Sequence, residues 1–484
     1  MAAKARDHLR SLRSWLRRGL PAGVRFSLVW HLASIGTGLI VALFFLFLDP
    51  FDLDEGIGSK GREVFYKVAA FAYPEERSPK TVVVTFDDQY LRENAQAWPV
   101  SYAVHAGVID TIVQNRPDAI FIDMVFLDQR DDETLDFFIG SLKRAAKETR
   151  IYLAAAPPGL SKSPARAELE KVAAETPNIV FVSVDAGRSM GVGHAYRVTP
   201  DAAGREPAAI RIFRDLNACG RVCRAYPRTA EMDIWWGAPR LNKFNCRLPG
   251  QDRVCRHLDA NIFQRVLGML TGAFQGVLPE EMKFVDPVPV PYSPTISLTE
   301  LLNGSAAATV RPRLRDAVVF YGGNLLLTGD IEETPVQGPL PGVHAHAMAY
   351  DNLVVLGGRY VVAAPPFGWN TKAHAMAAVA VLALSAFVLR TILTFRRPLA
   401  FIRPHRRSGR YRAVDTGVFV IGAIMIGVIE FTVLKVGPTT WAPILVTVLA
   451  GDVLSRRPLV GRVVLILLGR RSHGRVWRAG RSPG

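Results

Sequence analysis

Apolar residues are concentrated in long runs at both ends of the chain, and these runs predict membrane helices. The first contains no Lys, Arg, Asp or Glu. A helix needs roughly 20 mostly apolar residues to cross the hydrocarbon core of a bilayer. We therefore predict one amino-terminal and three carboxy-terminal transmembrane helices, over residues 27–48, 373–395, 414–436 and 437–455.

The first run has an alternative interpretation, a cleaved signal peptide. The apolar part of a signal peptide is about 7–15 residues long and ends at a small-residue cleavage site. Residues 27–48 exceed that length and end in Phe-Leu-Asp-Pro, with no A-x-A pattern. We interpret this segment as a retained anchor.

Two predicted spans contain acids, Glu430 in the third and Asp452 in the shorter fourth. A carboxylate facing lipid is costly, so we expect both to face a helix bundle or to lie near an interface. Helix association or docking of a partner is the favoured interpretation, with an ion pathway as the alternative.

Residues 49–372 alternate between two shorter hydrophobic patterns, which predict an α/β domain. β-branched and apolar runs predict strands over 81–86, 119–126, 151–156, 178–184 and 317–321, and helical spacing predicts helices over 101–115 and 132–147. Strand–helix–strand order implies right-handed βαβ units and a mainly parallel sheet with helices on its faces. Residues 159–315 are rich in Pro, Gly and Arg and give no clear pattern.

The net charge of +16 invites a nucleic-acid interpretation until its distribution is considered. Residues 49–372 carry 35 basic and 39 acidic side chains, so the predicted domain is mildly acidic. The excess lies in three flanks: seven basic residues and one acid in 1–26, seven and none in 396–413, and eight and none in 456–484. By the positive-inside rule these three segments are cytoplasmic, which puts residues 49–372 outside the cytoplasm. We therefore expect the lipid bilayer, and no nucleic acid, as a partner.

All four cysteines fall in the predicted outer domain: Cys219, Cys223, Cys246 and Cys255. An even number of cysteines in an oxidising compartment predicts two disulfides, and the sequence allows three pairings. A zinc site using these thiols and His257 is the alternative, although the cysteine spacings match no common zinc pattern.

Acidic residues lie in or directly after two predicted strands, near the strand ends where α/β sheets usually bind ligands. Asp87 and Asp88 follow the first strand, and Asp123 lies in the second. Together with imidazoles, carboxylates can hold a divalent metal or perform acid–base chemistry. The structural alternative is that an Asp after a strand caps the next helix. His105 likewise has a structural interpretation: we expect it to be packed against its helix rather than to be a ligand.

A set of short motifs follows in a fixed order along the predicted domain. They are Phe86-Asp87-Asp88, Trp98-Pro99, Ile122-Asp123 with Phe126, Gly322-Gly323, Asp330, Thr334-Pro335, Pro341-Gly342-Val343 and His346-Ala347. This ordered set resembles the CHASE2 family, the extracytoplasmic sensory domain of bacterial membrane receptors, over roughly residues 50–365. Where the family often has an Arg shortly after Trp-Pro, this chain has Ser101-Tyr102, so no role of that Arg carries over.

The resemblance implies a sensor of the bacterial inner membrane, with a periplasmic domain and cytoplasmic termini. Receptors of this type usually continue into a kinase or cyclase, but only about 30 Arg-rich residues follow the last predicted span. We therefore expect no enzymatic activity and no cofactor, an unknown extracytoplasmic ligand, and relay of the signal to a membrane or cytoplasmic protein partner. The candidate ligand-binding residues are Asp87, Asp88, Trp98, Asp123, Asp330 and His346.

Two other functions remain open at this point. A structural or assembly subunit of a cell-envelope complex predicts an exposed apolar patch and no ligand pocket. A periplasmic metal-dependent enzyme predicts converging Asp and His side chains with an open coordination position. The chain contains neither a G-x-S-x-G nor an H-E-x-x-H motif.

Overall fold

The computed structural model describes residues 53–126, 132–155, 163–184, 195–216, 231–238, 291–325 except 303, 330–363 and 408–438, with 441 and 445. One compact unit contains residues 62–364 together with 434–437. The four cysteines and the predicted spans 27–48 and 373–395 lie outside the described residues, so those predictions remain untested.

Six parallel strands form the central sheet of this unit, in the order β4-β3-β2-β8-β1-β7. The strands are β1 (Thr81–Asp87), β2 (Ala119–Asp123), β3 (Arg150–Ala155), β4 (Ile179–Ser183), β7 (Thr295–Ser297) and β8 (Val318–Asn324). β8 enters late in the chain and pairs with both β1 and β2. Strands from both ends of the domain are thereby joined in the middle of the sheet.

Ten α-helices lie in the described residues. They are α1 (Leu53–Ala69), α2 (Asp88–Glu93), α3 (Tyr102–Val113), α4 (Leu135–Ala145), α5 (Pro164–Glu175), α6 (Ala208–Leu216), α7 (Leu298–Leu302), α8 (Gly304–Val310), α9 (Val343–Leu356) and α10 (Ser408–Ile429). Single 3-10 turns occupy Ala70–Ala72, Glu75–Arg77, Arg311–Leu314 and Gly357–Arg359.

Both faces of the sheet are covered, which explains why its strands are apolar throughout. On one face, alternate residues such as Val84, Ile122 and Tyr321 pack in a core with α3, α4, α5 and α7. On the other face, Phe121 and Phe320 pack edge to face under α9. The α6 and α9 helices cover this second face.

The strands and helices predicted within residues 49–372 are confirmed, with ends that differ from the prediction by no more than three residues. The largest differences are three residues: β2 ends at Asp123 rather than at Phe126, β8 ends at Asn324 rather than at Tyr321, and α4 begins at Leu135 rather than at Asp132. The mainly parallel α/β architecture is therefore confirmed.

Among the residues that the structure describes, two antiparallel ribbons lie outside the central sheet. One is the hairpin of β9 (Ile331–Thr334) and β10 (Gly338–Pro341). The other joins β5 (Ala195–Arg197) to β6 (Glu231–Asp233), which are far apart in sequence. Neither β5 nor β6 is predicted by the sequence pattern.

The α10 helix belongs to a second unit and overlaps the predicted span 414–436. It continues into a π-helical turn, Glu430–Leu434, and exposes the apolar side chains Ile421, Ile424, Met425 and Ile429. Among the described residues, no helix is both long enough and apolar enough to cross a membrane.

Candidate functional site

Asp123, Asp330 and His346, three of the predicted site residues, meet at the carboxyl end of the central sheet. Asp123 is the last residue of β2 and stands opposite Gly322 of β8. His346 lies in the first turns of α9, and its Nε2 is 3.8 Å from Oδ2 of Asp123. Both side chains are nearly inaccessible, with exposed fractions of 10% for Asp123 and 6% for His346.

Burial shifts the protonation of both groups toward their neutral forms. It raises the pKa of Asp123 to about 7. It lowers the pKa of His346 to about 4, although the nearby Asp330 charge acts in the opposite direction. His346 is therefore neutral at pH 7, while Asp123 is close to its midpoint.

The tautomer of His346 follows from its neighbour Tyr196 on β5. The Tyr196 hydroxyl lies 2.8 Å from Nδ1 of His346 and accepts a hydrogen bond from the Ala209 backbone N–H at 3.1 Å. Its own proton is satisfied when it is donated to Nδ1, because a buried hydroxyl proton without an acceptor is costly. The His346 ring proton then lies on Nε2, facing Asp123 across a gap longer than a hydrogen bond.

Asp330 completes the cluster from the segment before β9. Burial raises its pKa, the Asp123 charge raises it further, and His346 lowers it. Its backbone carbonyl accepts the Gly342 N–H at 3.1 Å. A Cβ at Gly342 would lie 2.4 Å from Oδ1 of Asp330, so the glycine permits this close approach.

A second glycine places the helix that carries His346. A Cβ at Gly322 of β8 would lie 2.7 Å from Cβ of Val343, the first residue of α9. Two non-bonded carbon atoms do not approach this closely, so the absence of a Cβ at Gly322 allows α9 to lie directly on β8. The Gly-Gly and Pro-Gly-Val motifs are thus explained by packing that positions His346.

The other predicted residues form a separate group around the end of β1. The Asp87 carboxylate accepts the Tyr90 N–H at 2.9 Å and caps α2, and Asp88 is the first residue of that helix. Burial raises the pKa of Asp87, and the negative charges of Glu93, Asp88 and Glu300 act in the same direction. These contacts match the capping alternative rather than a ligand site.

Trp98 belongs to this second group and packs against Phe86 with ring centroids 5.5 Å apart. It is 42% exposed, and its peptide bond to Pro99 is cis. Asp87 pairs with Asn324 of β8 and Asp123 with Gly322. Two strand spacings and two residues separate the acids, which corresponds to roughly 12 Å. The structure therefore does not bring all six candidates together.

His105 lies on the opposite face of the sheet and has a structural environment. Its Nδ1 is 3.0 Å from the Tyr321 hydroxyl. The rings of Phe126 and Phe138 surround it at centroid distances of 5.8 and 6.1 Å. This placement agrees with the packed interpretation of His105.

Two members of the site region, Tyr196 and Glu332, were not predicted from the sequence. Burial raises the pKa of Glu332, and so does the Asp330 charge. Tyr196 lies in the part of the chain that has no readable hydrophobic pattern. Within the described ranges, no three His, Cys, Asp or Glu side chains are arranged to hold a metal ion.

A family model described as the CHASE2 domain matches residues 38–389 of the chain. No curated protein and no solved structure is significantly similar to this chain. The matched range contains every residue of the Asp123–Asp330–His346 cluster, as well as Tyr196.

Proposed function

The chain belongs to the CHASE2 domain family, a family of sensory domains, and from that membership we propose that it is a sensor of the bacterial inner membrane. Its domain binds an extracytoplasmic signal and relays the event through the membrane helices to a protein partner. The observation that carries this proposal is the buried polar cluster of Asp123, Asp330, His346 and Tyr196. Polar groups placed at the carboxyl ends of parallel strands are the usual ligand-binding arrangement of α/β sheets.

The cluster presents a donor and an acceptor that do not satisfy each other. The Nε2 proton of His346 and the carboxylate of Asp123 face across 3.8 Å, and the Asp330 charge adds to the negative potential. A polar group that enters between Asp123 and His346 receives one hydrogen bond and donates another. This recognition depends on the protonation of Asp123, because only the ionised carboxylate is purely an acceptor.

The proposed topology is supported by backbone pairing around Val362. The Val362 N–H donates to the Lys435 carbonyl at 2.7 Å, and the Gly437 N–H donates to the Val362 carbonyl at 2.9 Å. Val362 precedes the second predicted span, while Lys435 and Gly437 lie at the junction of the third and fourth. With a cytoplasmic amino terminus, both places lie on the extracytoplasmic side.

The topology is tested by protease added to intact cells, to spheroplasts and to lysed spheroplasts. We expect the domain to resist digestion in intact cells and to be cleaved in spheroplasts, because the outer membrane no longer shields the periplasm. Tags on both termini should be lost only after lysis. A domain that survives in spheroplasts and is cut only after lysis contradicts the proposal.

The sensing role is tested by comparing the phosphoproteomes and transcriptomes of four strains. They carry the wild-type gene, a deletion, Asp123→Asn, or the matched control Asp118→Asn at the exposed residue just before β2. A sensor predicts that Asp123→Asn alters the same output as the deletion, whereas Asp118→Asn does not. If only the deletion has an effect while Asp123→Asn is produced at normal levels, the structural-subunit alternative is favoured.

A further inference from the structure

A small junction sheet connects the site to the segments that lead to the predicted membrane spans. It consists of β5, β6, residues 361–363 and residues 435–437. β5 and β6 pair antiparallel, Met232 pairs antiparallel with Val362, and Val362 pairs parallel with Val436. Four chain segments that are distant in sequence therefore share one hydrogen-bonded ladder.

One edge of the junction sheet is part of the candidate site. The Tyr196 hydroxyl on β5 donates its proton to Nδ1 of His346, and its oxygen accepts the N–H of Ala209. Tyr196 pairs with Met232 of β6, and its neighbour Ala195 pairs with Asp233. A movement of the His346 ring therefore acts on β5 directly and on β6 through the ladder.

The next strand, β6, holds the helix that enters the domain. The buried carboxylate of Asp233 lies 3.9 Å from Nη1 of Arg62 on α1. Burial raises the pKa of Asp233 to about 6, while the Arg62 charge lowers it. The ionised carboxylate is thus stabilised by the charge of Arg62 on α1.

Backbone and ring contacts continue this attachment beyond β6. The indole Nε1 of Trp235 donates to the Ala69 carbonyl at 3.1 Å, and the Ala238 N–H donates to the Ala70 carbonyl at 3.1 Å. Trp235 also packs edge to face on Tyr73, with centroids 5.4 Å apart. The segment from β6 to residue 238 therefore fixes the end of α1.

The far side of the junction sheet, formed by residues 361–363 and 435–437, contacts the segments that lead to the other predicted spans. The Asp233 N–H donates to the Val361 carbonyl at 2.9 Å, and the Ala363 N–H donates to the Glu231 carbonyl at 3.3 Å. Residues 361–363 lead toward the span predicted at 373–395, and 435–437 join the spans predicted at 414–436 and 437–455. Since α1 follows the span at 27–48, the junction sheet contacts a connection to every predicted span.

We propose that the junction sheet is the element that transmits the state of the Asp123–His346 site to the membrane-linked segments, with Tyr196 as the positioning residue at its entry. This inference rests on the proposed function, because it assigns the relay of that same site. The physical basis is that a hydrogen-bonded ladder resists the displacement of one strand relative to the next. A shift of Tyr196 is therefore passed to β6 and from there to α1, 361–363 and 435–437.

The test is hydrogen exchange measured by mass spectrometry on the purified full chain in lipid nanodiscs, comparing wild type with Tyr196→Phe. The matched control is Tyr152→Phe. It removes a hydroxyl bonded to Asp215 on the same face of the central sheet but outside the junction sheet. We expect Tyr196→Phe to accelerate exchange about three- to tenfold in peptides containing Asp233, Val362 and Gly437, as for the loss of one net hydrogen bond. We expect Tyr152→Phe to leave those peptides unchanged.

Coupling between two sites acts in both directions, so the junction sheet can also be perturbed from its α1 side. This second test remains informative if Tyr196→Phe does not fold. Asp233→Asn weakens the α1 attachment, so coupling predicts faster exchange in the first half of α9, around His346. The inference is overturned if either variant changes exchange only locally, or if Tyr152→Phe has the same effect as Tyr196→Phe. Failure of the proposed function is detected by a different experiment, the protease treatment, in which the domain would then resist digestion in spheroplasts.

Discussion

Replacing Asp123 by Asn should stabilise the domain, and increasingly so as the pH rises. The carboxylate lies almost fully buried at the end of β2, where burial raises its pKa to about 7 from an ordinary value of 3.8. The ionised form is therefore disfavoured in the folded chain by on the order of 4 kcal/mol. Asn fills nearly the same volume and carries no charge, so it removes this penalty at every pH.

The sign of the pH dependence follows from which state binds the proton more tightly. The folded wild type holds the Asp123 proton up to about pH 7, whereas the unfolded chain releases it near pH 4. Wild-type stability therefore decreases as the pH rises between these values and is constant above them. The advantage of Asp123→Asn should be about 2–3 kcal/mol larger at pH 8 than at pH 5.

Urea unfolding of the full chain in detergent micelles measures this difference. Tryptophan fluorescence reports on the domain because Trp235 and Trp236 are buried. Asp118→Asn, at the exposed residue just before the same strand, controls for a general effect of charge removal. An equal stability difference between Asp123→Asn and wild type at pH 5 and pH 8 would refute the assignment of Asp123 as a buried, proton-binding carboxylate.

Three further substitutions test the local geometry by urea unfolding. Gly322→Ala puts a Cβ 2.7 Å from that of Val343 and should cost about 1–3 kcal/mol. Gly323→Ala, whose Cβ meets no described atom within 4 Å, should cost less, and equal losses would contradict the close packing of α9. Asp87→Ala removes the α2 cap and should cost about 1 kcal/mol, whereas Asp87→Ser keeps a capping oxygen. Arg166→Ala leaves a β3 carbonyl without its buried donor and should cost about 1–3 kcal/mol; an unchanged midpoint would argue against that contact.

The central strands could be predicted because their sequences carry enough local information. Runs such as Thr81–Asp87 and Arg150–Ala155 are apolar throughout, as expected for strands covered on both faces. β7 could not be predicted, because Thr295–Ser297 is only three residues long and is specified by its parallel pairing with β1. Local pattern is informative where burial is continuous and uninformative where a distant partner defines the strand.

The candidate site was partly predictable for a related reason. Asp123, Asp330 and His346 belong to motifs near the ends of the resemblance, and the structure brings them together. Asp87 has a local signal similar to that of Asp123, an acid in or directly after an apolar strand run, yet it caps α2. Only the start of a helix immediately after Asp87 distinguishes the two cases. Tyr196 carried no signal, because its role comes from a tertiary contact between β5 and α9.

The central sheet and the junction sheet differ in how firmly their strands are held, and this difference indicates where a signal-dependent change takes place. The six-stranded sheet is buried on both faces and joined by long ladders, so displacing one of its strands exposes apolar side chains. β5 and β6 have three residues each and meet 361–363 and 435–437 through isolated bridges. Because so few ladder bonds tie them to other strands, β5 and β6 can be displaced together with the segments they contact at a lower free-energy cost than a strand of the central sheet. A rearrangement of the Asp123–His346 pair is therefore resisted by β2 and β8 and accommodated through Tyr196, in the element that also holds α1.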